Sequence, residues 1–341
     1  MRFLLLFSII LGLFGIGYYG FVRHVDPYGE FGSGHFPSVV MDSRREKVLL
    51  FSTFARHGAT DGLILGTSRS MLLRPSTLAA GLGPGSRVFN FAVENGHAED
   101  FLAIYHYVRS EGANPRWIVI GLDVPSLHND DIRDHMFDRS SLNDYLSSDG
   151  QVQKNGAWQS ILNVNAVFTK DYCKDSFKAI WMGLRHGRPE TSFTIDGYEQ
   201  NGAGGVMREG TFNGETDLPA AVASYKARLA GMTDLSRLRV GYLRRLVSEA
   251  RTRGTRVTIW LTPVHPRLEQ AILGTTNYGM LTAELRSLAR DLAAEGAKYE
   301  DFTHLETFGG SELAWYDSTH MDWRNLDLVA RRLADGGQHG L

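Results

Sequence analysis

The chain has 341 residues, 43% of them hydrophobic and 22% charged, with a formal net charge of −2. That composition is ordinary for a folded globular protein and excludes an intrinsically disordered chain. The near-neutral balance gives no electrostatic footprint for nucleic acid, and the single cysteine, Cys173, excludes an intrachain disulfide and a thiolate zinc site.

Residues Phe3 to Val22 carry no charge and no proline, and this length at helical rise crosses the hydrocarbon core of a bilayer. Arg2 precedes the run, Arg23 and His24 follow it, and Tyr18, Tyr19 and Phe21 cluster at its distal end, where aromatic rings favour the membrane interface. A cleaved signal peptide is the competing reading. The run exceeds the usual apolar core of such a peptide, and Gly15-x-Gly17 is the nearest substitute for a cleavage site. The pattern therefore predicts an uncleaved signal anchor over 1–23, one transmembrane helix, with the rest of the chain outside the cytoplasm. Gly, Pro and His over 24–40 suit a tether.

A single α/β domain is expected over 41–341. Met41 to Phe54 has helical spacing, and the charge runs Asp42–Lys47 and Arg331–Asp335 read as solvated helix faces. Short apolar runs at 62–65, 87–91 and 117–122 predict three strands, with a helix at 98–110. The alternation then stops. Residues of about 126–215 read as an insertion or cap, with a helix near 158–184 and a Gly-rich patch at 202–205. Helices at 235–253 and 278–295 end at Gly254 and Gly296, and flank strands at 256–261 and 298–302. A last helix covers 322–333. Alternating strands and helices predict a five-stranded parallel sheet with helices on both faces.

In such a sheet, ligands lie beyond the carboxyl ends of the strands. Ser68 follows the first strand; Asn90, Asn95 and Gly96 the second; Asp123 the third; Thr262 and His265 the fourth; Asp317 and His320 the fifth. A serine hydroxyl needs a base to take its proton and an acid to orient that base. Asp317 and His320, three residues apart, can share one face of a tight turn and approach one serine together. Backbone N–H groups after Ser68 and at Gly96 would face a developing oxyanion, and a loop asparagine would add a donor. Arg69 either holds an anionic substrate group or pairs with Asp123. Asp123 reads more as a cap or partner of the Ser68 loop than as a catalytic acid. His265 either lines the pocket or is an ordinary loop histidine. No histidine spacing fits a metal and no Gly-x-Gly-x-x-Gly follows a strand, so no cofactor is expected.

Gly66-Thr67-Ser68-Arg69-Ser70 after a strand, Asn90 to Gly96 after the next, and Asp317-x-x-His320 near the C-terminus resemble the SGNH (GDSL-like) hydrolase superfamily. The resemblance is to its membrane-anchored branch, with the DltD-like proteins and the periplasmic acetyltransferases of polysaccharide modification. It implies a flavodoxin-like three-layer α/β/α sandwich, with Ser68 as nucleophile, His320 as base, Asp317 as its orienter and Gly96 as oxyanion glycine. The substrate class it implies is an acylated glycan or lipid of the cell envelope, handled as an esterase or an O-acyltransferase, with a multipass acyl-donor membrane protein as partner. Gly121-Leu-Asp123 stands where the superfamily has Gly-x-Asn-Asp, so Asn95 or Asn90 is left to supply the oxyanion amide. That gap also admits a non-catalytic envelope assembly or glycan-binding protein on the same fold.

Overall fold

The computed structural model describes residues 2–28, 35–37, 39, 43–128, 141–146, 167–186, 193–199 and 212–338. Its helices are α1 (Arg2–Val25), α2 (Ser43–Arg56), α3 (Pro75–Ala80), α4 (Ala98–Ser110), α5 (Lys170–His186), α6 (Leu218–Arg228), α7 (Arg237–Thr252), α8 (Pro266–Leu273), α9 (Tyr278–Ala294) and α10 (Trp323–Gln338). The strands are β1 (Gly62–Leu65), β2 (Val88–Asn90), β3 (Trp117–Leu122), β4 (Arg256–Leu261) and β5 (Lys298–Asp301). The chain divides into two compact units, residues 1–42 with 153–191, and residues 43–152 with 192–341. The expected insertion at 126–215 is thus shared between units. Its predicted helix is described from Lys170 onward; 158–166 and the Gly-rich patch 202–205 lie outside the described residues, as do 29–34, 38 and 40 of the tether.

In the first unit, α1 is long and apolar enough to cross a membrane, a length and composition that a signal sequence also has. Its distal turns are built into folded structure. Val22 is fully buried beside Val167 and Tyr172. The Tyr18 hydroxyl donates to Val167 O at 3.1 Å and the Tyr28 hydroxyl to Asp175 Oδ2 at 2.6 Å. The first bond ties the end of the apolar run to the segment before α5, and the second ties the residues after α1 to α5 itself.

The second unit carries a five-stranded sheet in the order β2-β1-β3-β4-β5, with every neighbouring pair parallel. Parallel strands covered on both faces need continuous apolar runs, and the β1 and β3 residues are all buried. Strand alternation makes two cores. Leu63, Leu65, Ile118, Ile120, Leu122, Ile259 and Leu261 face α2, α4, α7 and α9. Ile64, Trp117, Val119 and Trp260 face a smaller core with α3 and α10. Helix α3 comes so close to α10 that a Cβ on Gly81 would lie 2.8 Å from the Ala334 backbone. Gly254 and Gly296 end their helices at φ of 77° and 100°, a conformation glycine adopts without a Cβ clash. The order reverses between β1 and β3, which opens a crevice at their carboxyl ends.

The charge run at the start of α2 is not a solvated face. Arg44 is 2% exposed and pairs with Asp100, which is fully buried, at 2.6 Å. Asp100 also accepts the N–H of His97 at the start of α4. Lys47 is fully buried and donates to Ala92 O at 2.5 Å. Ion-pair partners from distant segments, which a local pattern cannot reveal, override the expectation. Helix α7 is tied to α4 in the same way by Arg239 and Glu99, 2.9 Å apart. Removing one member of a buried pair strands the other charge. Asp100→Asn is therefore expected to destabilise the fold by about 3–5 kcal/mol, read as a lowered urea midpoint with unchanged slope.

Candidate active site

Strand β1 ends at Leu65, and Gly66 turns the chain with φ of 150°, which L side chains rarely adopt. A Cβ there would collide with Ser70 Oγ and lie 3.1 Å from Gly121 O. The Ser70 hydroxyl occupies the space left by Gly66 and Gly121, so two glycines let the loop close against β3. Residues Ser68–Ser70 then form one 3₁₀ turn.

Both neighbours of Ser68 are tied to Asp123, at the end of β3. The Thr67 hydroxyl donates to Asp123 Oδ2 at 2.9 Å, and Arg69 Nε lies 3.3 Å from the same oxygen. Asp123 Oδ1 accepts the Ser126 N–H at 2.8 Å. The Arg69 guanidinium is buried and also reaches the Tyr225 hydroxyl at 2.6 Å, Thr262 Oγ1 and Pro263 O. Of the two expected roles for Arg69, the pairing with Asp123 is the one observed, and burial keeps it from an anionic substrate. Asp123 is a cap and loop anchor.

His320 comes from the other side on a turn that Asp317 builds. Asp317 Oδ1 accepts the N–H groups of Thr319 at 2.7 Å and His320 at 2.8 Å. Its Oδ2 takes His320 Nδ1 at 2.7 Å. A single bridge between Trp315 and Met321 closes the base of the turn. Burial pushes the Asp317 carboxyl up, but the hydrogen bond and charge of His320 and the two backbone donors outweigh it. They hold it well below the usual carboxylate range. A charged Asp317 fixes the proton on Nδ1, which leaves Nε2 as acceptor. Ser68 Oγ stands 2.8 Å from that Nε2 and donates to it. Serine, imidazole and carboxylate thus form one continuous relay, partly open to solvent.

The remaining candidates fall around this relay. The loop leaving β2 lies on the Ser68 loop, because Val93 N donates to Gly66 O at 3.0 Å and a Cβ on Gly96 would sit 2.9 Å from that oxygen. Asn95 has φ of 47°, a left-handed conformation asparagine tolerates, and its carbonyl accepts from Arg44. The expectation for Asn90 is corrected. Its amide is fully buried and donates to Ser70 O, Met71 O and Leu73 O, bracing the Ser68 loop from beneath. Of the two readings of His265, the loop histidine is the one observed: its Nδ1 accepts the Arg267 N–H at the head of α8, its Nε2 meets Glu312 O, and its ring packs on Phe212. Its own N–H donates to Ser318 O at 2.9 Å, so it supports the histidine turn from behind. Among the described residues no group of three or more His, Cys, Asp or Glu could hold a metal.

Sequence reasoning missed an acid and a base beside this site. Residues 193–199 fold back so that Phe193 bridges Glu199, Asn90 N donates to Asp196 O, and Glu199 N meets Met71 O. Burial pushes the Glu199 carboxyl up, against the pull of Lys47. Lys47 lies 4.6 Å over the Phe193 ring and is pushed down to about 7, burial outweighing Glu199, Glu46 and Asp196. No local pattern in 193–199 signals this, since the segment has no periodicity.

No family model and no curated protein matches the chain. A solved chain from Streptococcus pneumonia, provisionally named a platelet activating factor, is similar at 12% identity, with a TM-score of 0.35 over 86% of this chain and 92% of that one. A likeness of that grade assigns neither fold nor activity.

Lys47 gives a pH test. The folded lysine loses its proton near 7 while the unfolded one keeps it to about 10.5. Between those values the unfolded chain binds more protons, so this group makes stability rise with pH, by at most about 1.4 kcal/mol per unit. Urea unfolding between these limits is expected to show that slope in the wild type and its loss in Lys47→Met.

Proposed function

We propose that this protein is a membrane-anchored serine acyl-ester enzyme of SGNH type, on a flavodoxin-like three-layer α/β/α sandwich. The observation that carries the reading is the relay from Ser68 Oγ through His320 to Asp317, with steps of 2.8 and 2.7 Å. The strand order and the two cores are compatible with the sandwich, and Ser68 leaves β1 at the reversal of strand order, where α/β sheets place their ligands.

Ser68 Oγ attacks the acyl carbon while its proton passes to His320 Nε2, and the Asp317 carboxylate steadies the imidazolium. Backbone N–H groups of Ser68 and Gly96 and the Asn95 amide are assigned to the oxyanion, Asn90 being committed to loop carbonyls. Collapse expels the alcohol, which takes the proton from Nε2, and leaves an acyl-serine. Water or a glycan hydroxyl then attacks, gives its proton to Nε2, and restores Ser68 when the acyl group departs. Water makes the enzyme an esterase and a glycan hydroxyl an O-acyltransferase. The anchor favours transfer, with an envelope glycan or lipid as substrate and a multipass membrane protein as acyl donor. In this reading α1 holds the enzyme in the inner membrane with its catalytic unit on the extracytoplasmic side.

Turnover of p-nitrophenyl acetate and labelling by a fluorophosphonate probe test the reading. Both are expected to vanish in Ser68→Ala, and Asp317→Asn is expected to lower turnover by a factor on the order of 10⁴ without unfolding. Labelling that persists in Ser68→Ala removes Ser68 as nucleophile.

A further inference from the structure

Helix α5 has two faces of different chemistry. Tyr172, Ser176 and Ala179 are buried, in a unit whose small core also holds Val22 of α1. On the outer side Phe177 is 62% exposed, Trp181 52% and Leu184 81%, spaced four and three residues apart along one stripe. Large apolar side chains gathered on a surface mark a binding face.

Two observations say what covers it. First, the stripe is continuous with the apolar surface of α1. Phe177 packs on Phe21 with ring centroids 5.7 Å apart, and the exposed Phe168, just before α5, packs on Tyr18 at 5.2 Å. On the N-terminal side of Tyr18, α1 exposes Phe3, Leu6, Ile10 and Phe14. Second, the stripe is edged with cations. Lys174 and Lys178 lie on it, and Arg185 stacks over Trp181 at 4.4 Å. Aromatic rings with long basic side chains whose charge can reach water are the chemistry of a helix lying in the headgroup layer.

We infer that α5 is a second membrane element, lying in the headgroup layer of the bilayer that α1 enters and preferring anionic phospholipid. The inference rests on the proposed anchoring by α1 and is independent of the serine chemistry. The basic edge supplies the lipid preference, because cations near an anionic surface are attracted over roughly a Debye length.

The full chain, with Cys173→Ser, is labelled with a nitroxide at one of Phe14→Cys, Leu184→Cys or Leu313→Cys and placed in phospholipid nanodiscs. Collisions with oxygen, which enters lipid, are compared with collisions with a neutral nickel complex, which stays in water. Oxygen is expected to dominate at positions 14 and 184 and nickel at 313. The oxygen-to-nickel ratio at 184 is expected to rise at least twofold as phosphatidylglycerol replaces phosphatidylcholine, and to fall when Trp181→Glu is added. Nickel dominance at 184 with oxygen dominance at 14 overturns the inference while the anchor stands. Nickel dominance at both overturns the anchor as well. Shielding of 184 from both probes means that a protein covers the face, and also overturns it.

Discussion

The carboxylate of Asp123 stands at the seam where β1 and β3 run side by side, and it grips the loop after β1 on both flanks of Ser68. Thr67 reaches it through a hydroxyl and Arg69 through a guanidinium. Only Gly66 and Gly121 leave space for the turn that brings them there. Arg69 carries the same restraint outward to Tyr225 and to the loop after β4. Asn90 completes it by binding three carbonyls of the following turn. A nucleophile is useful only when its geometry is fixed before the reaction. Here the fixing of Ser68 is done by Asp123, Arg69 and Asn90, all buried.

The histidine is held by a separate device. One oxygen of Asp317 shapes the turn and the other faces the imidazole, so a single carboxylate sets both backbone and tautomer. Its depressed pKa keeps that arrangement charged across the neutral range. Behind the turn, His265 ties it to the end of β4. The two halves of the relay are thus anchored to different strands and meet across the crevice.

The central strands were legible because buried parallel strands must be apolar throughout, as Trp117–Leu122 and Arg256–Leu261 nearly are, whereas the edge strand Lys298–Asp301 is polar and half-buried. Ser68, Asp317 and His320 could be picked out because strand ends converge on one edge. Short helices such as Pro75–Ala80 and Pro266–Leu273 were not, since too few residues carry a period. Asn90 was placed at the correct edge but expected to face the oxyanion, and for His265 the edge alone left pocket and loop roles open. Strand position gives where a residue lies, and not whether its side chain turns to the pocket or to a neighbouring carbonyl. Lys47 and Arg44 read as surface charge because the groups that satisfy them, Ala92 O and Asp100, are distant in sequence.

The proposed acyl-ester chemistry makes one direct demand: an acyl group must reside on Ser68 during turnover. Rapid acid quench of the protein reacting with p-nitrophenyl acetate, followed by peptide mass mapping, reads it. The account predicts one acetyl increment on the peptide holding Ser68, accumulating within the first turnover and absent in His320→Ala. An acetyl group found on another residue, or turnover with no acylated peptide, contradicts it.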